Sequence, residues 1–436
     1  MLLIKKEKEE TNWNISLNSG SLNSYQYMIG KNIMFNGNTK YIYRYKDTVV
    51  IGHGRIYNEQ DLWINVLNMT HAPLIRIHPL VIVIELYNKF GFEKTIEYLD
   101  GDFSFVLFDI NLYGDESIIY VAKDPFGLCP LYKWISNTSA TNTDTSKKVQ
   151  FQDDNIDQQK QYVFSSSIEP TDTMIIEPMN NGNYYIFTHS FKVSANWRLK
   201  KICKYYTLPF HSTYIDDDND DNYDSSPIKQ IEIAVNKRIK YILNYENAFY
   251  IAQLQNTILL EETQQYMNNL VNEYNTNGSK IKIGMIQYSN INMNSSKNYD
   301  IFQYLQKNET KYNTKIECVP IEIGVDTNIL ELEEKYPNII HNLKLSLNTN
   351  DPSIIRASFI PWMIAKHIKE TEPQIKYIFM GEPFVQKWIS INVFNRREEL
   401  NNVWFLENLK GWVSAFFEYN MELIIPFLDR ILLQKI

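Results

Sequence analysis

The stretch that decides the fold of the N-terminal half is Asp102–Ile110, which reads DFSFVLFDI. Its apolar residues fall on both sides of an extended strand: Phe103, Phe105 and Leu107 on one side, Val106, Phe108 and Ile110 on the other. A strand that is apolar on both sides is buried on both sides, as in the middle of a layered structure. The pattern therefore predicts an inner strand with packed layers above and below it.

The residues around this strand predict antiparallel neighbours. Asn111–Asp115 (NLYGD) has turn chemistry, and Ser117–Ala122 (SIIYVA) is the returning strand. Asp124–Gly127 (DPFG) places Asp, Pro and Gly at the first, second and fourth positions of a type I turn. Two helices are predicted before the hairpin, near Leu80–Phe90 and Phe92–Tyr98. The N-terminal half is predicted to be an α+β domain with layered antiparallel strands.

Two polar segments predict loops and divide the chain. Ser136–Lys160 is rich in Ser, Thr, Asn and Asp and is predicted to be a long surface insertion. Asp216–Pro227 (DDDNDDNYDSSP) is a self-repelling acidic block, which predicts a linker. A calcium-binding EF-hand loop needs Gly at its sixth position and Glu at its twelfth, and neither is present. We therefore predict domains at 1–210 and 228–436, joined by an acidic linker at 211–227.

The hydrophobic pattern of the sequence changes after the linker. Ile228–Leu243 has apolar residues at helical spacing and predicts an amphipathic helix. Further strands are predicted at Ala248–Ala252, Lys280–Tyr288, Lys315–Ile323 and Lys376–Met380, and further helices at Leu259–Tyr274, Tyr299–Lys307, Leu330–Leu345 and Ile354–Lys369. Strands that alternate with helices indicate an α/β domain with a parallel sheet.

Composition excludes several classes of function. The 436 residues carry a formal net charge of −8, so no basic field favours nucleic-acid binding. The three cysteines lack the spacing of a disulfide framework or a cysteine zinc site. No apolar run approaches the ~20 residues that a membrane span needs, and the charged start does not resemble a signal peptide. These features predict a soluble, intracellular protein; the abundance of Asn, Ile, Tyr and Lys is typical of an AT-rich genome.

Eight segments, in order along the chain, resemble glutamine-hydrolysing asparagine synthetase. The segments that resemble its class II glutaminase domain are Gly54–Leu62 (GRIYNEQDL), Tyr98–Asp109, Val121–Tyr132 and Phe164–Glu169. Those that resemble its synthetase domain are Ile228–Ile239, Ile355–Ser358 (IRAS), Gly381-Glu382 and Glu422–Asp429 (ELIIPFLD). The resemblance implies an Ntn-type αββα sandwich domain, followed by an adenine-nucleotide α-hydrolase-like α/β domain with a parallel sheet.

The family's glutaminase residues are replaced in this sequence. The family uses an amino-terminal cysteine, whose thiolate attacks the amide while its α-amine handles the proton. Residue 2 here is Leu2, and the first cysteine is Cys129. We therefore predict that the glutaminase is inactive.

The substrate-binding positions of the glutaminase differ as well. The Asn-Gly pair of the family's oxyanion hole corresponds to His53-Gly54, which keeps the backbone N–H of Gly54 but loses the side-chain amide. The family's Asp that binds the substrate ammonium falls at His78 or Pro79, and neither offers a carboxylate. Both histidines are predicted to be packed or solvated residues rather than a metal or acid–base pair.

The family's nucleotide loop, Ser-Gly-Gly-x-Asp-Ser, is replaced by a loop without glycine. The aligned residues are Ala252, Gln253, Leu254, Gln255, Asn256 and Thr257. Glycines in such a loop let backbone N–H groups approach the phosphates, whereas the side chains of Gln253 and Leu254 would fill that space. We predict that this vestigial loop does not bind a nucleotide.

Most other positions of the synthetase site also lack the residues that the family has there. In the second phosphate and metal loop, Glu382 is retained, but two other carboxylates are not. The family's catalytic Lys falls near Ser414, with Lys410 one helical turn away, and the Arg before its Pro-Phe-Leu-Asp motif falls at Ile424. The predicted catalytic, nucleotide-binding and metal residues are therefore vestigial.

The sequence leads to one interpretation and leaves two alternatives. The interpretation is a degenerate, asparagine-synthetase-like pseudoenzyme without cofactors that acts as a binding or structural subunit, with protein partners as a homodimer or in a larger assembly. The first alternative is a residual, ammonia-only asparagine synthetase that uses ATP and Mg²⁺. The second is a non-catalytic regulator that still binds a nucleotide. Nucleic acid is not expected as a partner under any of the three.

Overall fold

The protein is described by a computed structural model over residues 13–17, 26–30, 33–37, 41–70, 80–109, 116–136, 162–166, 174–190, 197–207, 227–243, 248–253, 282–290, 314–321, 328–347, 349–380, 403–425 and 428–430. Contacts divide the chain into two units, Met1–Thr207 and Leu208–Ile436. The predicted insertion after Ser136 and the acidic linker before Pro227 lie outside the described residues.

The first unit is built from two antiparallel sheets. Its strands are β1 (Trp13–Leu17), β2 (Gln26–Gly30), β3 (Ile33–Gly37), β4 (Ile42–Tyr45), β5 (Thr48–Ile56), β6 (Gly101–Asp109), β7 (Glu116–Lys123), β8 (Tyr132–Ser136), β9 (Tyr162–Ser165), β10 (Met174–Pro178), β11 (Asn183–Ser190) and β12 (Arg198–Lys204). Sheet I has the order β10-β8-β9-β1-β3-β2, and sheet II the order β12-β11-β7-β6-β5-β4. All their described pairings are antiparallel.

The predicted inner strand is β6, and it is buried on both faces. Val106 and Phe108 pack with Phe164 and Phe187 in the core between the two sheets. Phe103, Phe105 and Leu107 belong to a second core, which they share with the helices on the other face. The double-sided apolar pattern of this segment therefore reports a strand that has a packed layer on each side, as predicted.

Three helices lie within the described residues of this first unit. They are α1 (Glu59–Asp61), which continues into a π-helical turn over Leu62–Val66, α2 (Val81–Phe90) and α3 (Phe92–Tyr98). Ile82, Val83, Ile84 and Leu86 of α2 are fully buried against sheet II. The described part of the unit is thus a stack of helices, sheet II and sheet I. The described helices lie on one side of this stack, so the fourth layer of the expected αββα sandwich stays a prediction.

The second unit contains a five-stranded sheet. Its strands are β13 (Ala248–Gln253), β14 (Lys282–Asn290), β15 (Thr314–Ile321), β16 (Tyr377–Met380) and β17 (Glu422–Ile424). Sheet III has the order β15-β14-β13-β16-β17, and its paired strands run parallel. The described helices are α4 (Pro227–Leu243), α5 (Ile329–Lys335), α6 (Pro337–Leu347), α7 (Pro352–Thr371) and α8 (Val403–Glu418).

The stretch expected to be helical around Leu330–Leu345 is helical, but it is divided into two helices. Tyr336 leaves the helical conformation with φ −135° and ψ 55°, and Pro337 begins α6. A proline has no N–H to donate and disfavours the helical conformation in the residue before it. The break is therefore a local consequence of Pro337 that the apolar periodicity concealed.

Helices α7 and α8 meet at a pair of small residues. A Cβ atom built on Gly411 would lie 2.0 Å from the Oγ of Ser358 and 2.7 Å from its Cβ. Ser358 is 1% exposed, and its hydroxyl donates to the carbonyl of Ile354 at 2.8 Å. The absence of a side chain at Gly411 therefore sets how closely these two helices pack.

We expect Gly411→Ala to lower the free energy of unfolding of the second unit by about 1–3 kcal/mol, because the added methyl overpacks the contact with Ser358. Adding Ser358→Gly should restore part of the loss, and Lys410→Ala on the same helix should cost less than Gly411→Ala. Urea unfolding followed by circular dichroism measures all three. A Gly411→Ala variant as stable as the native chain would show that the helices can separate at no cost.

Candidate functional site

The candidate site lies where the face of sheet II that packs on sheet I changes from apolar to polar. Val49 and Ile51 of β5 belong to the core between the sheets. Alternate residues of a strand share a face, so His53 and Arg55 continue the same face toward the end of β5. The register places His53 opposite Ser104 and Arg55 opposite Asp102. Polar side chains from two adjacent strands therefore meet at one end of the interior.

Arg55 and Asp102 form an ion pair inside the unit. The Arg55 Nη2 lies 3.0 Å from the Asp102 Oδ2, and the two residues are 2% and 1% exposed. The hydroxyl of Tyr57 donates to the same carboxylate oxygen. A buried charge is tolerated only when it is paired and hydrogen-bonded, and here each charge satisfies the other. This group, Arg55, Tyr57 and Asp102, is called the interior triad below.

Asp124 holds the turn that follows β7. Its Oδ1 accepts the backbone N–H groups of Phe126, Gly127 and Leu128 at 2.9, 2.5 and 3.1 Å. Its Oδ2 accepts the N–H of Cys129 at 2.9 Å. The carboxyl group is fully buried and therefore acts as the internal cap of the turn predicted at Asp124–Gly127.

Burial and the charge of Asp102 raise the pKa of Asp124 to about 6, against the lowering effect of its backbone hydrogen bonds and of Lys123. The Asp102 carboxylate that contributes to this shift is itself paired with Arg55. Asp124 is thus a buried acid that titrates nearer to neutrality than an exposed aspartate does.

His53 is a neutral, partly buried side chain at this end of β5. Burial and the charge of Arg55 lower its pKa to about 3. The imidazole ring stands edge-on to Tyr41, with 6.4 Å between the ring centroids. The next residue, Gly54, has no room for a side chain, because a Cβ there would lie 2.5 Å from the carbonyl oxygen of Asp102. The glycine of the predicted His53-Gly54 pair is therefore required by the close approach of β6.

Other polar side chains at this end of the interior also donate hydrogen bonds to groups of the protein itself. The Ser104 hydroxyl donates to the carbonyl of Pro130 at 3.2 Å, and the Lys123 ammonium to the carbonyl of Met179 at 3.4 Å. Cys129 is buried and unbridged. Within the residues that the structure describes, no group of three or more His, Cys, Asp or Glu side chains could hold a metal ion.

The structure describes only some of the predicted site residues. His53 and Gly54 lie side by side on β5 as described, while His78 and Pro79 fall outside the described residues. Ala252 and Gln253 end β13, and only their backbone is described. Leu254, Asn256, Thr257 and Glu382 also fall outside the described residues. Ser414 and Lys410 lie on α8 and are both partly buried.

In the second unit, an ion-pair cluster joins α4 to the C-terminal motif. Arg238 Nη1 lies 2.6 Å and Lys237 Nζ 2.5 Å from the Asp429 Oδ2, and Arg238 also donates to the carbonyl of Leu428 at 3.3 Å. Burial alone would raise the pKa of Asp429, but the charges of Arg238 and Lys237 lower it well below its ordinary range. The cluster keeps this part of the motif against α4.

Sequence reasoning did not select the interior triad, Asp124 or the Arg238–Asp429 pair as site residues. All of them lie within segments that carry the family resemblance, and each except Tyr57 is a charged residue within or beside an apolar run. That signal could have marked them as buried, paired charges. Their partners could not be read from it, because Arg55 and Asp102 are 47 residues apart and Arg238 and Asp429 are 191 apart.

Comparison with known families finds a match within the first unit. Residues 34–147 match the family described as a glutamine amidotransferase domain. No curated protein matches the chain. The matched segment runs from β3 through β8 and carries the interior triad, Asp124 and His53-Gly54. With its antiparallel sheets, the N-terminal unit is therefore glutamine amidotransferase-like. None of the described helices is both long enough and apolar enough to cross a membrane.

The interior triad yields a test of buried charge. Asp102→Leu should lower the free energy of unfolding of the first unit by about 3–5 kcal/mol, because it leaves the Arg55 guanidinium buried without its counter-ion. The double variant Arg55→Met/Asp102→Leu should recover a large part of that loss. Tyr57→Phe, the matched control, keeps the ion pair and should cost about 1.5–3 kcal/mol. Chemical unfolding provides the comparison; a double variant no more stable than Asp102→Leu would contradict the pairing.

Asp124 yields a test of pH dependence. An aspartate has a pKa of ~3.9 in an unfolded chain, and that of folded Asp124 is raised to about 6. The folded state thus binds the proton more tightly, so this group stabilises the fold most at low pH and loses the contribution as the pH rises from ~4 to ~6. The Asp124→Asn variant keeps an oxygen acceptor but cannot titrate.

The expected result for Asp124 is that the stability of the native chain, relative to D124N, falls by up to ~3 kcal/mol between pH 4 and pH 7. Thermal unfolding over this range measures the difference, and common effects of the other carboxyl groups cancel in it. A stability difference that stays constant with pH would mean that folding does not raise the pKa of Asp124.

Proposed function

We propose that this chain is an asparagine-synthetase-like pseudoenzyme, which retains the scaffold of a glutamine amidotransferase without its glutaminase chemistry. The observation that supports this proposal most directly is the state of the interior triad and Asp124. Their charges and hydrogen bonds are used to join β5, β6 and the turn after β7. Groups engaged in this way stabilise a fold and are not presented to a substrate.

The absence of a suitable nucleophile among the cysteines also supports the proposal. The family's reaction needs a thiol and a free α-amine on the same residue. Cys129 is an internal residue whose own N–H is bound by Asp124, Cys203 lies within β12 and Cys318 within β15. None of these three can supply an α-amine at the place where the thiol would attack.

The groups that would bind glutamine are also replaced or already bound to other parts of the protein. An oxyanion hole works through donors that are aimed at the developing negative charge. With its pKa near 3, His53 is uncharged at neutral pH, so it brings no cation to that position. The buried carboxylates of Asp102 and Asp124 are held by Arg55, Tyr57 and backbone N–H groups. A glutamine ammonium would have to compete with those partners.

For the second unit, we propose a degenerate adenine-nucleotide α-hydrolase-like domain that no longer binds ATP. In open parallel sheets, ligands bind beyond the carboxyl ends of the strands. Here β13 ends at Gln253, and the residues of the vestigial loop follow without a glycine. Beta-carbons at these positions would occupy the space that phosphate oxygens need. Glu382, the retained carboxylate, comes two residues after the end of β16.

The role that remains for such a chain is structural or recognitional. We propose that it works inside the cell as a binding subunit without cofactors, as a homodimer or in a larger protein assembly. Its net charge of −8 argues against a nucleic acid as the partner. The well-packed interior and the altered site residues together fit a scaffold that acts through its surface.

The proposal predicts that the purified full chain releases neither glutamate from glutamine nor pyrophosphate from aspartate and ATP above the rate of a His53→Ala control. Its melting temperature should not change with Mg-ATP, aspartate or glutamine. A ligand at about 100 times its dissociation constant would add ~2.7 kcal/mol of stability, which a thermal shift detects easily.

The alternative functions give different outcomes in the same experiments. Pyrophosphate release that depends on aspartate would establish a residual synthetase and overturn the proposal. A thermal shift with Mg-ATP without turnover would establish a nucleotide-binding regulator. Gln253→Gly/Leu254→Gly serves as the matched variant: if those side chains alone block the nucleotide, Mg-ATP should stabilise the variant and not the native chain.

A further inference from the structure

Strand β12 is a basic strand at the edge of sheet II. Its sequence, Arg198–Lys204 (RLKKICK), has four basic residues in a chain whose net charge is −8. All of its residues except Cys203 are exposed. Among the described strands it pairs only with β11, so the backbone groups of its other side face outward. β12 lies outside the segment that matches the glutamine amidotransferase family.

The basic side chains project to both sides of this edge. Paired residues of neighbouring strands share a face. Arg198 pairs with Thr188 and Lys201 with Ile186, which places both on the helix-covered face of sheet II. Lys204 pairs with Asn183 and so lies on the opposite face. Positive charges thus surround the edge rather than forming one flat patch.

Two apolar side chains accompany these charges. Leu199 is 37% exposed and Ile202 is 49% exposed, and both lie on the face opposite to Arg198 and Lys201. Adding a strand to a sheet edge uses main-chain hydrogen bonds for affinity and the neighbouring side chains for specificity. The edge therefore offers the backbone, apolar and charged contacts that an added strand needs.

We propose that β12 binds an acidic, extended polypeptide segment of a partner protein, which adds to sheet II as a further strand. A second copy of β12 is disfavoured, because like charges opposite each other destabilise a strand pair. A nucleic acid would prefer a continuous basic face, whereas here the charges divide between two faces. The inference does not depend on the loss of catalysis, since an active enzyme would keep the same edge.

The test uses the full chain and a fluorescent peptide of roughly ten residues in which valine and glutamate alternate. Fluorescence anisotropy should detect binding that weakens as salt rises, because the charges are exposed. A peptide with lysine in place of glutamate should not bind. A peptide of the same charge with proline at every second valine should bind much more weakly, because proline cannot donate the main-chain hydrogen bonds.

The informative variant is Arg198→Glu/Lys201→Glu, which should weaken peptide binding by roughly tenfold or more while the melting temperature stays unchanged. The control variant is Lys46→Glu/Lys240→Glu, which changes the net charge by the same amount at exposed positions away from β12. It should bind the acidic peptide as tightly as the native chain does. Equal binding by the native chain and the Arg198→Glu/Lys201→Glu variant would overturn the proposal.

Two further results would also overturn it. One is polyuridine binding that is lost in the Arg198→Glu/Lys201→Glu variant while the acidic peptide does not bind, which would make β12 a nucleic-acid surface. The other is peptide binding that appears only after the aspartates between Asp216 and Asp224 are changed to asparagine. That outcome would mean that the chain's own acidic segment occupies the edge.

Discussion

Burying the Arg55 guanidinium inside the first unit constrains everything around it. An arginine that is 2% exposed needs a counter-ion at hydrogen-bond distance, and β6 provides it in Asp102. Because side chains alternate between faces, a slip of one residue between β5 and β6 would put the two charges on opposite faces. The ion pair therefore favours the same register that puts Val106 and Phe108 into the core between the sheets.

The same constraint explains why the carboxylates of the candidate site are bound by other groups of the protein. The residues that border it are those that hold β5, β6 and the turn after β7 in place, and their polar atoms are directed at one another. A catalytic site needs donors and acceptors that remain available for a substrate. Here the stability of the layered scaffold and the availability of those groups compete, and the contacts favour stability. The basic edge strand β12, which contributes little to the core, is free of that competition.

Sequence patterns predict the hairpin of β6 and β7 in the first unit and the two helices that precede it. β6 and α3 follow directly from apolar spacing, and α2 begins one residue later than expected. The helical periodicity around Leu330–Leu345 continues across Pro337, so it does not indicate that one helix ends before this residue and a second begins at it. The turn at Asp124–Gly127 was recognised by its residue types, but the carboxylate of Asp124 was not identified as its acceptor.

The sequence was sufficient to indicate where β6, β7, α2 and α3 lie and that β6 is an inner strand, because these features depend on residue identity and short-range spacing. It could not indicate that Arg55 belongs with Asp102, Arg238 with Asp429, or that His53 is kept neutral. Those properties depend on strand register and on burial, which arise only when segments far apart in the chain pack together. The identity of a charged residue does not indicate its partner. The partner is determined only when the fold brings the two residues within hydrogen-bond distance and removes the water between them.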